Sequence, residues 1–118
     1  MLRYNGLYVT GAQYDDSDYW PSGPPYYMYL RFYADGTVLV TSTAASPDQV
    51  IRWFNKGSDV VAKGRYSIQD NKIQFSVTTK QGTVDNAGEI IGDRLELQWQ
   101  SHINRASGSE TYRFVEVS

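Results

Sequence analysis

Few residues in this chain could do covalent chemistry. The one histidine, His102, stands beside Ser101 in the stretch "QWQSHINR". A serine nucleophile needs an imidazole within hydrogen-bond reach to take its proton. Neighbours on a β-strand point to opposite faces, so Ser101 and His102 cannot serve each other on one. The carboxylates Asp85, Glu89, Glu96, Glu110 and Glu116 are candidates for the paired acids of glycoside hydrolysis, but they fall on or near strands, mostly on polar-looking faces. The chain has no glycine-rich phosphate loop and no Gly-x-Ser-x-Gly elbow. It has no cysteine, hence no thiolate nucleophile, thiolate metal site or disulfide. Asp15, Asp16 and Asp18 could offer oxygens to calcium, but they lack the spacing of an EF-hand loop and its closing glutamate. These residues predict a protein that is not an enzyme and holds no metal or cofactor.

The aromatic residues offer a different chemistry. Tyr66, Trp99 and Tyr112 share strand faces with aliphatic residues, so they point inward. They can form a packed core, since large aromatics bury well. They can equally line a small-molecule cavity with tyrosine hydroxyls as polar handles. Both readings stand on the sequence. Upstream, "YDDSDYWPSGPPYYMY" (14–29) holds three of the four prolines, several tyrosines and Trp20. Prolines 21, 24 and 25 stiffen it, and a hairpin would need only ~2–5 residues where ~13 are used. It reads as a rim or lid, with Tyr19 and Trp20 beside the ligand. A connector packed over the opening is the alternative.

The elements that position these residues follow from a period of two. "KIQFSVTT" (72–79), "DRLELQWQ" (93–100), "ETYRFVEV" (110–117) and "KGRYSIQ" (63–69) each alternate apolar and polar residues, as half-buried strands do. Tight turns at "ADGT", "QDNK" and "IGDR" join them. Strands are expected near 5–12, 27–34, 37–43, 63–69, 72–79, 83–91, 94–101 and 109–117. "SPDQVIRWFN" breaks the pattern: Ser46, Pro47 and Gln49 signal a helix start, and Val50, Trp53 and Phe54 share one face. A helix of about two turns is expected near 47–54, covering one opening of the sheet. Eight hairpin-linked antiparallel strands, each with one apolar face, avoid open edges by closing. The fold class is therefore all-β, a closed up-and-down antiparallel barrel in one domain, 1–118.

The first and last strands carry Gly6-Leu7-Tyr8 and Tyr112-Arg113-Phe114. A meander barrel opening on Gly-x-aromatic resembles the calycins, the lipocalin, avidin and fatty-acid-binding group, and small bacterial lipocalin-like domains most nearly. The resemblance implies a ligand-binding barrel, with Arg113 packed against Tyr8 to close its base. Tyr stands where the group has Trp, and the lipocalin disulfides are absent.

The outer wall carries the remaining expectation. In "YYMYLRFY", Met28, Leu30 and Phe32 face in, which turns Tyr27, Tyr29, Arg31 and Tyr33 outward, with Leu39 beside them on the next strand. Tyrosine and arginine are enriched at interfaces, and symmetric self-association is the commonest case, so a homodimer is expected here unless the 46–55 helix covers the wall. Net charge is −2, which predicts no general attraction to nucleic acid or anionic membrane. The apolar runs are too short to span a bilayer. "MLRYNGLYVTG" lacks the apolar core of a signal peptide, and together with the missing cysteines it predicts a cytoplasmic protein. The function expected is non-catalytic binding of a small apolar or aromatic molecule in the barrel, through Tyr19, Trp20, Tyr66, Trp99 and Tyr112. The alternative is a protein interaction domain with a filled barrel and a tyrosine-rich outer wall.

Overall fold

The computed structural model describes residues 2–4, 6–12, 25–58, 61–79, 82–102 and 105–116. Its strands are β1 (Gly6–Val9), β2 (Tyr27–Phe32), β3 (Thr37–Thr43), β4 (Ala62–Gln69), β5 (Lys72–Thr79), β6 (Gly82–Ile91), β7 (Arg94–Ser101) and β8 (Ser107–Glu116). Each pairs antiparallel with the next, and β1 pairs with β8, closing the barrel in the up-and-down order expected. The turns turn where the sequence puts them. Gly36, Asp70 and Gly92 all take positive φ (94°, 59° and 60°), the conformation that short hairpin loops require.

β1 is shorter than its sequence pattern. After Val9 the Thr10 hydroxyl accepts the Met28 N–H (3.1 Å) and donates to the Gly11 carbonyl (2.9 Å). A side chain thus takes a ladder position and the strand ends there. β8 runs on past β1 toward its own N-terminus, so only Gly6–Val9 complete the wall on that side.

Cross-strand register fixes which residues share the interior. Tyr66, Phe75, Asn86, Trp99 and Gly108 form one row across β4–β8, and Ile68, Ile73, Gly88, Leu97 and Glu110 the next. The core is built on Tyr8, Leu30, Phe32, Val38, Ile73, Phe75, Leu95, Leu97 and Tyr112, all buried. Phe32 is its hub: Tyr8, Tyr66 and Phe75 meet it edge-on at 5.6, 5.2 and 5.9 Å between centroids. Such pairs contribute about 0.5–1.5 kcal/mol each beyond the area they bury.

One end of the barrel carries the turns 33–36, 70–71 and 92–93 and is closed. Leu2 seals it, only 5 % exposed. The Arg3 N–H donates to the Tyr8 hydroxyl (3.0 Å), and the Arg3 guanidinium lies 4.2 Å from the Phe114 ring centre. The calycin resemblance assigned this closure to Arg113 against Tyr8. The strands do pair, but Arg113 stands opposite Val9 and is exposed, whereas Tyr8 points inward opposite Phe114. Alternation puts Arg113 on the wrong face, and Arg3, outside the strand ladder, reaches under the barrel instead.

The helix α1 (Pro47–Val50) is a single turn followed by a turn through 51–53, shorter than the two turns expected. The Ser46 N–H donates to Gln49 Oε1 (3.2 Å), as the capping residues predict. The helix does not cover an opening. Val50 and Phe54, both fully buried, pack on the outside of the barrel against Leu7, Tyr29 and Leu39. The expected interface wall is therefore covered by its own chain. Tyr27, Tyr29, Arg31, Tyr33 and Leu39 do leave the interior, but Tyr29 is 1 % and Leu39 0 % exposed. The Tyr29 hydroxyl donates to the Ala45 carbonyl (2.6 Å) and Arg31 Nη1 to the Phe54 carbonyl (2.7 Å). Tyr33 takes Arg31 and Lys56 over its ring, and Tyr27 packs against the same layer. The wall's apolar and aromatic surface is thus spent on a second, outer core.

Candidate binding site at the open end of the barrel

The other end of the barrel is where β1 stops and β2 begins, and where β7 passes to β8. On several strands burial falls toward it. On β2 Leu30 is buried and Met28 half-buried; on β3 Val38 is buried and Val40 half-buried. On β6 Ile90 is buried while Val84 and Asn86 are half-buried; on β7 Leu95 and Leu97 give way to Trp99. On β8 Tyr112 is buried, Glu110 half-buried and Gly108 exposed. Val77 on β5 and Ser101 on β7 depart from this by staying buried, and on β4 the order reverses, Ile68 being exposed and Ala62 half-buried. On β2, β3, β6 and β8 the inward residues are therefore more accessible toward this end.

A local device shapes this mouth. A Cβ on Gly108 would lie 2.8–2.9 Å from Cζ2, Cε2 and Nε1 of Trp99. The indole therefore lies flat across β8, in space that only glycine leaves. Asn86 stands directly opposite Trp99, and Glu110 opposite Leu97, one inward position along from Gly108. By register Asn86, Trp99 and Glu110 fall on inward positions at this end, as Met28, Val40 and Val84 do on β2, β3 and β6. Burial, chiefly, with the charge of Glu110 added, pushes the Tyr112 hydroxyl well above the ordinary tyrosine range.

The expected ligand residues separate. Trp99 is at the open end. Tyr112 lies deeper in the core, 4 % exposed. Tyr66 belongs to the closed end: its hydroxyl donates to the Tyr33 carbonyl (2.6 Å) and meets the Tyr4 hydroxyl (3.3 Å). Three strand spacings, roughly 14 Å of sheet, separate Tyr66 from Trp99. Tyr19 and Trp20, with most of the 14–26 segment and the aspartates at 15, 16 and 18, lie outside the described residues. Asn86 and Glu110 were not singled out for the interior. For Glu110 a signal existed: it has the parity of Tyr112 and Phe114 in "ETYRFV".

Two open concavities of about 1250 and about 1170 Å³ run along β4–β8; Glu110 and Leu97 are among the residues lining the first, and Asn86, Trp99 and Gly108 among those lining the second. Each is lined by two outward rows and residues of the row between, with Gly11 added to the first: Ser67, Gln74, Ala87, Gln98 and Ser109 are common to both. They form a polar trough along the outer face of β4–β8.

The histidine has a partner that adjacency in sequence did not reveal. Asp85 Oδ2 stands 2.6 Å from His102 Nε2, and Asp85 Oδ1 accepts the Ser76 hydroxyl. The Ser76 hydrogen bond, and then His102, hold the Asp85 carboxyl below the usual range. The carboxylate sits between the other two groups, so the serine proton points at Asp85 rather than at the imidazole. A nucleophile needs the base at its own oxygen. All three groups lie on the outer face, Ser76 and His102 exposed and Asp85 half-buried. Among the described residues no three His, Asp or Glu side chains gather as metal ligands, and no helix is long and apolar enough to cross a membrane.

No protein-family model matches the chain, and no solved structure matches it significantly. The closed eight-stranded meander is consistent with a calycin-like fold.

Proposed function

We propose that this is a calycin-like, non-catalytic binding domain that takes a small molecule with an aromatic or apolar body at the open end of the barrel. The observation that carries the reading is the burial gradient that ends on Trp99 laid over Gly108. A packed core needs neither an inward carboxylate nor a half-exposed indole, whereas a binding mouth uses a few polar groups on an apolar floor. The ligand enters only the mouth, because the aromatic hub at Phe32 fills the rest. The test is a set of neutral aromatic fragments followed by NMR. Shifts should cluster on the Met28 methyl, the Asn86 side-chain amide and the Trp99 indole, and Val84→Phe, which fills the mouth, should remove them. Shifts confined to Gln74 and Gln98 would favour the second reading, an interaction domain. That reading no longer rests on the tyrosine wall but is supported by the trough on β4–β8.

A further inference from the structure

Independently of the small-molecule reading, we propose that the edge of β8 left bare where β1 stops takes an extended peptide, which completes the barrel wall by strand addition. The backbone of β8 shows which groups are involved. The Ser101 N–H donates to the Ala106 carbonyl (2.8 Å) and the Phe114 N–H to the Asp93 carbonyl (2.7 Å). Both contacts continue the β7–β8 register that sets Gln100 opposite Ser107 and Arg94 opposite Arg113. Hydrogen-bonded and non-hydrogen-bonded pairs alternate in an antiparallel ladder. The even residues of β8 therefore turn their backbone groups to β7, and the odd residues turn theirs to the β1 side. There Val115 and Arg113 meet Leu7 and Val9. Thr111, Ser109 and Ser107 lie beyond the end of β1: among the described residues no strand pairs with them on that side, and all three are exposed.

A row of N–H and C=O groups like this is a template for another strand, and edges are commonly blunted by lysine or proline. "SGSET" (107–111) contains neither, and Ser107, Gly108 and Ser109 leave the backbone little covered. The space beside the edge is open. Gly11, Ser109 and Thr111 line the first concavity together, and a Cβ on Gly11 would meet nothing within 4 Å. The width of the gap selects the occupant. β2 starts at Tyr27 on the far side of the stretch that β1 leaves empty. Two strand spacings, roughly 10 Å, then separate β8 from β2, which is room for one strand. The β8 edge of a second copy comes backed by its own β7 and is too wide to enter. A single extended peptide fits, with affinity from its backbone and specificity from alternate side chains. Its residues would alternate between the outer face and the inward side, where the Trp99 indole lies over Gly108. The occupant is therefore a segment that alternates polar and β-branched apolar residues.

The probe is the capped peptide acetyl-Thr-Val-Thr-Val-Thr-amide, titrated into the isotope-labelled full chain, with amide hydrogen exchange read along β8. In the free protein Ser107, Ser109 and Thr111 should exchange fast, while Gly108, Glu110 and Tyr112, bonded to β7, are protected. At free peptide about ten times its Kd, exchange at the three odd residues should slow about tenfold. Replacing a peptide N–H that faces β8 by an ester oxygen should weaken binding about threefold or more, and the same change one residue along should not. Odd residues already protected in the free protein at every concentration would mean that the chain's own residues, such as 13–24, hold the edge, and would overturn the proposal. Protection that grows with protein concentration, with a dimer in sedimentation, would give the edge to a second copy and overturn it equally. So would binding without the period-two pattern, or no change at the highest soluble peptide concentration. Every arm uses the unmodified protein, so no variant has to fold.

Discussion

Replacing Gly108 by alanine tests the geometry of the mouth directly. In an open strand position this change stabilises by about 0.4–1 kcal/mol, because alanine loses less freedom on folding. Here the new Cβ would stand 2.8 Å from Trp99 Cζ2 and 2.9 Å from both Cε2 and Nε1, well inside van der Waals contact. The indole must swing or β8 must move, and overpacking of this kind costs about 1–3 kcal/mol. The expected net effect is destabilisation by about 0.5–2 kcal/mol, a fall in Tm of about 2–8 °C. Gly11→Ala is the control, since a Cβ there meets nothing within 4 Å. Urea titration gives the free energies, and the Trp99 indole N–H resonance reports whether the ring has moved. If Gly108→Ala is as stable as Gly11→Ala and leaves that resonance in place, the indole does not lie on β8 and the description of the mouth is wrong.

Other changes probe the rest of the account. Leu39→Ala, fully buried under Val50 and Phe54, should cost about 2–5 kcal/mol by denaturant titration; a cost below 0.5 kcal/mol would mean that the wall is open after all. Arg3→Ala should cost about 0.5–2 kcal/mol through its contact with Phe114, whereas exposed Arg113→Ala should be nearly silent, the reverse of what the calycin pattern implies. Acid should expose the Asp35–Lys56 pair. Lys56 chiefly holds the Asp35 carboxyl down to about 2 from 3.8, so its contribution is present above the unfolded value and lost as pH falls from about 4 toward 2. Unfolding followed across that window should show a component that disappears in Lys56→Met.

Much of this fold is legible in the alternation of the strands, because an antiparallel barrel with one wet face writes its inside and outside into every second residue. Tyr66, Phe75, Leu95, Leu97 and Tyr112 are all inward for that reason. The rule fails where β1–β3 bury both faces. Leu7 and Leu39 sit on outward positions and are apolar because the segment carrying Val50 and Phe54 packs there, and a tyrosine that covers a core looks, in sequence, like one that waits for a partner. The candidate site was only partly legible. Trp99 is inward by parity, but that Tyr66 lies at the opposite end depends on how far each strand runs and on the stagger of the rows. Asp85 and His102 meet only because β6 and β7 pair in one register; no local pattern announces it.

The central claim is that the open end around Trp99 receives a small molecule while the closed end does not. The most direct measurement is the set of intermolecular NOEs from a neutral aromatic fragment such as 2-phenylethanol, near saturation, to the labelled protein. The account predicts NOEs from the ligand ring to the Met28 methyl and the Trp99 indole, and none to Tyr66 or Ile68. NOEs to Gln74 and Gln98 on the outer face, or to Tyr66 at the closed end, would contradict it.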